Sequence, residues 1–151
     1  MQNRRETLKR SLAVAGLLGA TGLFPRYVLA FNKEAFDAKS INDALKAYGA
    51  SAPEESKDVT LTAPDIAENG AVVPLTASAS LPNVKSILLL VEKNPSALTA
   101  KFDVSDAIEA SFVTRVKMGQ TSDVYAVAIT ADGKAYYAKK EVKVTLGGCG
   151  G

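Results

Sequence analysis

The sequence predicts a mainly β fold, an immunoglobulin-like antiparallel β-sandwich with one short N-terminal helix and a flexible glycine-rich C-terminal arm. Three observations point there. Beyond residue 58 the apolar residues recur with a period of two, the repeat of strands buried on one face. Turn-forming residues interrupt these runs at short intervals, and Asp132-Gly133 is a strong hairpin signal. Ahead of the strands, Ile41, Ala44, Leu45 and Tyr48 fall at i, i+3, i+4 and i+7, one face of a helix.

Residues 1–30 have the order of an export signal. Asn3-Arg4-Arg5-Glu6-Thr7-Leu8-Lys9 is a twin-arginine pattern, an apolar stretch covers residues 12–24, and Val28-Leu29-Ala30 places short residues where signal peptidase cuts. The apolar stretch is about 13 residues, short of the roughly 20 that span a bilayer. The expectation is a twin-arginine signal peptide cleaved after Ala30 and a periplasmic mature chain beginning at Phe31, with no membrane anchor. Asn3 and Thr7 depart from the commonest residues of such signals. That route carries folded passengers, often with a cofactor, and the sequence shows no cofactor motif. A partner carried along is then the expected reason for folding first.

The body, residues 31–146, opens with the helix. Ser40 is placed as its N-cap with Asp43 near N3, and Gly49 as its stop. Residues 50–57 read as a loop. Val59 and Leu61 then alternate with Thr60 and Thr62. Val73, Leu75, Ala77, Ala79 and Leu81 alternate with Thr76, Ser78 and Ser80. Phe112, Val116 and Met118 share a face opposite Arg115 and Lys117. Val142, Val144 and Leu146 oppose Glu141, Lys143 and Thr145. Residues 87–91 and 124–129 are apolar on both faces, so they are expected to be central or covered by something else, and a partner subunit is the expected cover. Pro64, Asn69-Gly70, Pro82-Asn83, Asn94-Pro95 and Gly119 separate the runs. Tyr136-Tyr137 is expected to face core on one side and surface on the other.

Composition excludes several functions. The chain contains no histidine, which removes the commonest general base and metal ligand. One cysteine supports neither an internal disulfide nor a thiolate metal cluster. The formal charge of +2 owes its sign to Arg4, Arg5, Lys9, Arg10 and Arg26; without the leader, 13 basic residues face 15 acidic ones. A slightly acidic body argues against nucleic-acid binding. Asp65, Glu68, Asp103, Asp106 and Glu109 lack the spacing of a calcium loop and read as solvated turn residues. Lys139, Lys140 and Lys143 read as solvated strand positions, with guidance of an anion toward the C-terminus as the alternative.

The C-terminus carries the chemistry. Gly147, Gly148, Cys149, Gly150 and Gly151 close the chain. Glycine minimises bulk and maximises backbone freedom, and five extended residues reach roughly 17 Å. A thiol on such an arm can enter a narrow channel in another protein. No cation or histidine lies near Cys149 in sequence, whereas a catalytic thiol needs an electropositive pocket. The reading is a carried group, activated by whatever enzyme receives it. An unpaired cysteine in an oxidising compartment is otherwise a liability.

The Gly147-Gly148-Cys149-Gly150-Gly151 tail behind a twin-arginine leader resembles the SoxY family of sulfur-binding subunits. Two internal stretches add to the resemblance: Ile66-Ala67-Glu68-Asn69-Gly70-Ala71-Val72-Val73-Pro74 and Lys117-Met118-Gly119-Gln120-Thr121-Ser122-Asp123-Val124-Tyr125. The resemblance implies an immunoglobulin-like carrier subunit of a periplasmic thiosulfate-oxidising system, itself not an enzyme and without a cofactor. It implies a SoxZ-like β-sandwich partner and transient docking with a c-type cytochrome enzyme, which loads thiosulfate, and with a hydrolase, which releases sulfate. By the same motif Cys149 is the attachment residue.

Other classes make different demands. A thiocarboxylate on Gly151 would need ATP-driven activation, which an exported protein lacks. A thiol peroxidase would need a depressed thiol pKa or a resolving cysteine. In a purely structural domain Cys149 would be dispensable.

Overall fold

The computed structural model describes residues 32–146. Two helices precede nine strands. The first, α1 (Lys33–Asp37), is capped by Asn32, whose side chain accepts from the Ala35 amide at 3.2 Å. Its five residues are too short to print a helical repeat on the sequence, and it adds a second helix to the one expected. The second, α2 (Ile41–Ala47), starts where predicted, with Ser40 Oγ accepting from the Asp43 amide at 3.2 Å. It ends on a Schellman motif. Gly49, at φ +66°, donates to the Lys46 carbonyl, and Ala50 donates to that of Leu45.

The strands are β1 (Glu54–Glu55), β2 (Val59–Thr62), β3 (Ile66–Ala67), β4 (Val73–Ala79), β5 (Val84–Val91), β6 (Leu98–Asp103), β7 (Ser111–Val116), β8 (Ser122–Thr130) and β9 (Ala135–Val144). One sheet runs β1-β9-β8-β5-β6, and β3 also pairs with β9; the other is β2-β4-β7. The long strands are antiparallel, as predicted. The two-residue strands β1 and β3 instead lie parallel to β9, along the edge that β8 leaves free. The hairpin between β8 and β9 turns at Gly133, φ +80°, where the Thr130 amide donates to the Lys134 carbonyl at 3.0 Å.

Alternation places one core between the sheets. Val59, Leu75, Ile87, Leu89, Val116, Met118, Val124 and Val142 are buried there. Phe102 of β6 stacks on Phe112 of β7 at 4.5 Å between ring centroids, joining the sheets across their open side. A second core lies on the outer face of the large sheet, where Leu88, Leu90, Val127 and Ile129 meet Ala35, Ala44 and Leu45 of the helices. The strands that are apolar on both faces are therefore covered by this chain's own helices and by its second sheet. They create no demand for a partner. Tyr136 packs against the inner core and Tyr137 against the helical layer, so Tyr137 faces a second core where surface was expected.

No helix among the described residues is long and apolar enough to cross a membrane. The expected leader, residues 1–30, lies outside the described residues.

Candidate functional site

Cys149 and its four glycines lie outside the described residues, so the site is built up to Leu146, from which the arm leaves. β9 is ten residues long and ends at Val144. Past Ser122, β8 no longer pairs with it, and residues 65–72 take over on the opposite edge. The Lys143 amide donates to Asp65 O at 3.0 Å and the Thr145 amide to Ala67 O at 3.1 Å. Thr145 Oγ1 donates to Glu68 O at 3.0 Å, and the Gly70 amide donates to Leu146 O at 2.7 Å. Between these, the Val144 amide turns the other way and donates to Thr121 Oγ1 at 2.9 Å. Segment 65–72 is thus a strap that carries the strand's backbone pairing to the last residue before the arm.

The strap is itself held. Lys140 points toward it, with Nζ 2.7 Å from Ala63 O and 2.8 Å from an Asp65 carboxylate oxygen. The hydrogen bond and positive charge of Lys140 hold the Asp65 carboxyl below the usual carboxylate range, with Lys143 adding to the effect. Asn69 Oδ1 accepts from the Ala71 amide at 2.9 Å, closing an Asx turn around Gly70. The Gly70 carbonyl accepts from the Met118 amide at 2.7 Å. Asn94 secures the Met118 loop, its Nδ2 donating to Lys117 O at 2.8 Å and its Oδ1 accepting from the Gly119 amide at 3.2 Å. A continuous set of hydrogen bonds therefore runs from Asn94 through Met118 and Gly70 to Leu146.

The two internal stretches that carried the resemblance, residues 66–74 and 117–125, meet here. Asn69-Gly70 was legible only as a breaker; its part in anchoring the arm depends on pairing with β9, which no local pattern displays. The lysines divide. Lys140 is tied into the strap, Lys139 lies 3.8 Å from Asp123 and over the Tyr125 ring, and Lys143 is exposed. Burial, ahead of the opposing effect of Lys139, pushes the Tyr125 phenol up. The acidic residues of the turns do not converge. Asp65 pairs with Lys140 and Asp103 with Lys101, and among the described residues no group of three His, Cys, Asp or Glu is placed to hold a metal.

The fold and the clamp define a class: a small β-sandwich whose last described residue, Leu146, is a firmly fixed strand end. The family model described as "Sulfur oxidation protein SoxY" matches residues 44–149, a span that runs through the strap and the arm to Cys149. The chain belongs to the SoxY family. It is similar to the sulfur carrier protein SoxY from Chlorobium limicola f thiosulfatophilum, with 37% identity over 71% of this chain and 97% of that one and a TM-score of 0.63. It also shares its fold with a superoxide reductase (neelaredoxin) from Ignicoccus hospitalis, at 18% identity over 57% of this chain and 79% of that one, TM-score 0.51. At that identity the likeness concerns the fold alone. No curated protein matches the sequence.

Proposed function

We propose that this protein is the sulfur carrier of a periplasmic thiosulfate-oxidising system, and that Cys149 is the covalent attachment point. The observation that carries the reading is the clamp. Three loops and β9 are hydrogen-bonded together at Leu146, and the sequence that follows it is five residues with the chain's single thiol. Family membership, with a match extending to Cys149, supports the same reading.

The chemistry asked of Cys149 is simple. Its thiol and thiosulfate lose two electrons and one proton as a sulfur–sulfur bond forms, leaving a cysteine S-thiosulfonate; a c-type cytochrome enzyme takes the electrons. Water then cleaves the terminal sulfonate as sulfate, releasing protons and leaving a persulfide on Cys149. The carrier supplies reach and accessibility in both steps, with Gly147, Gly148, Gly150 and Gly151 keeping the arm narrow. Docking enzymes supply the activation that the arm's sequence lacks.

Export through the leader at residues 1–30 brings the carrier to the compartment of that chemistry. A SoxZ-like β-sandwich partner fits the outward face of the small sheet. Thr60, Thr62, Pro74, Thr76, Ser78, Ser111 and Val113 point outward there, and Arg115 is the only charged residue among the outward positions. Interface cores are depleted in charge in this way.

The test is thiosulfate-dependent cytochrome reduction in a reconstituted system. Cys149→Ser abolishes it while leaving the fold and the partner complex intact. Wild-type turnover by Cys149→Ser would overturn the reading.

A further inference from the structure

We propose that the end of β9 and its strap are the surface on which an enzyme docks to take the Cys149 thiol, through Ile66, Val72 and Leu146, and that the enzyme meets them with the apolar lip of a channel. The inference rests on the carrier reading of Cys149 and adds where its partners touch.

The first argument is length. Only Gly147 and Gly148 stand between Leu146 and Cys149, so the thiol's backbone lies at most about 10 Å beyond the last described residue. An enzyme whose reacting centre sits within a channel cannot reach that thiol without bringing its surface against the arm's root. The second is exposure. Among the described residues five large apolar side chains are exposed, and three of them, Ile66 at 57%, Val72 at 54% and Leu146 at 63%, lie on the strap and the strand end. The core does not require them, since Ala67 and Val73 beside them supply the buried contacts. The third is the clamp: the Gly70 amide holds Leu146 O, the carbonyls on either side of Ile66 accept from the Lys143 and Thr145 amides, and the Val72 amide donates to Asn69 O, so the three positions lie on backbone that hydrogen bonds fix. Asp65 is already paired with Lys140, which leaves the strap from Ile66 to Val72 with Glu68 as its only charge. The exposed Lys143 of β9, in register with Ile66, is the other charge beside it, and a mainly apolar lip suits such a surface better than a strongly charged one.

The experiment uses the mature chain with its partner subunit and the purified thiosulfate-conjugating cytochrome enzyme. The Ile66→Ser, Val72→Ser and Leu146→Ser changes are combined, and the initial rate of Cys149 conjugation is measured against carrier concentration. Melting temperature and the alkylation rate of Cys149 by a small reagent should match wild type, because the fold and the thiol are untouched. KM for the carrier should rise about tenfold or more with kcat little changed, the scale of losing burial of one large aliphatic side chain. Ile108→Ser removes an exposed apolar side chain beside a cleft at the opposite end of the sandwich and should leave KM unchanged. A wild-type KM in the triple variant, or an equal rise in Ile108→Ser, overturns the docking surface. Cys149→Ser separates the two claims. If it is inactive while the triple variant has a wild-type KM, the docking surface fails alone; if it conjugates thiosulfate, the carrier reading fails.

Discussion

The Gly70 amide donates to the Leu146 carbonyl at 2.7 Å, so the residue from which the arm leaves is fastened to a loop 76 positions earlier in the chain. This bond is the last rung of a parallel ladder that begins at Asp65 and Lys143.

Gly70→Pro removes that donor. The cost is about 1 kcal/mol, the net worth of one hydrogen bond. The expected outcome is a folded protein in which the Thr145 amide exchanges faster, measured by NMR, because the strand end frays. Unchanged protection at Thr145 would mean that the rung does not hold the arm's root.

Asp65 gives the strap a pH dependence. Its carboxyl is held below the ordinary carboxylate range by Lys140, so its stabilising contribution is present above that range. It is lost as pH falls through the depressed pKa. Asp65→Asn should therefore lower the melting temperature at neutral pH, and the gap from wild type should close in acid. A gap independent of pH would contradict the pairing.

Leu45 is buried between α2 and the outer face of the large sheet. Leu45→Ala should cost about 2–5 kcal/mol in urea unfolding, as for other buried leucines. It should also loosen the cover over Leu88, Leu90 and Val127, seen as increased binding of a hydrophobic dye. A cost well under 1 kcal/mol would show that the helices are not part of the core.

Val113 stands on the outward face of the small sheet, whose one charged residue is Arg115, and is strongly exposed. Val113→Glu should leave the melting temperature of the isolated chain unchanged and prevent co-purification of the partner subunit. Retention of the partner would place its interface elsewhere.

Much of this was legible from the chain alone. Period-two alternation located β2, β4, β7 and the end of β9 because each has one face in the inner core. Ser40, Asp43 and Gly49 marked the ends of α2 because capping chemistry is local. Residues 87–91 and 124–129 showed correctly that both strand faces are covered, but local sequence does not name the cover. It is α1 and α2 on the outer face and the small sheet on the inner one. The strands β1 and β3 escaped because two residues carry no period, and their pairing with β9 is a long-range matter. The arm was read from composition and family resemblance. The clamp at its root was not readable, because Gly70, Met118, Thr121 and Leu146 become neighbours only through the fold.

The most direct measurement is the intact mass of the mature protein from thiosulfate-grown cells, before and after treatment with a thiol reductant. The account predicts sulfur-containing adducts that map to the C-terminal peptide bearing Cys149, that reductant removes, and that are absent from Cys149→Ser. An unmodified Cys149 under active thiosulfate oxidation, or sulfur located on Gly151, would contradict it.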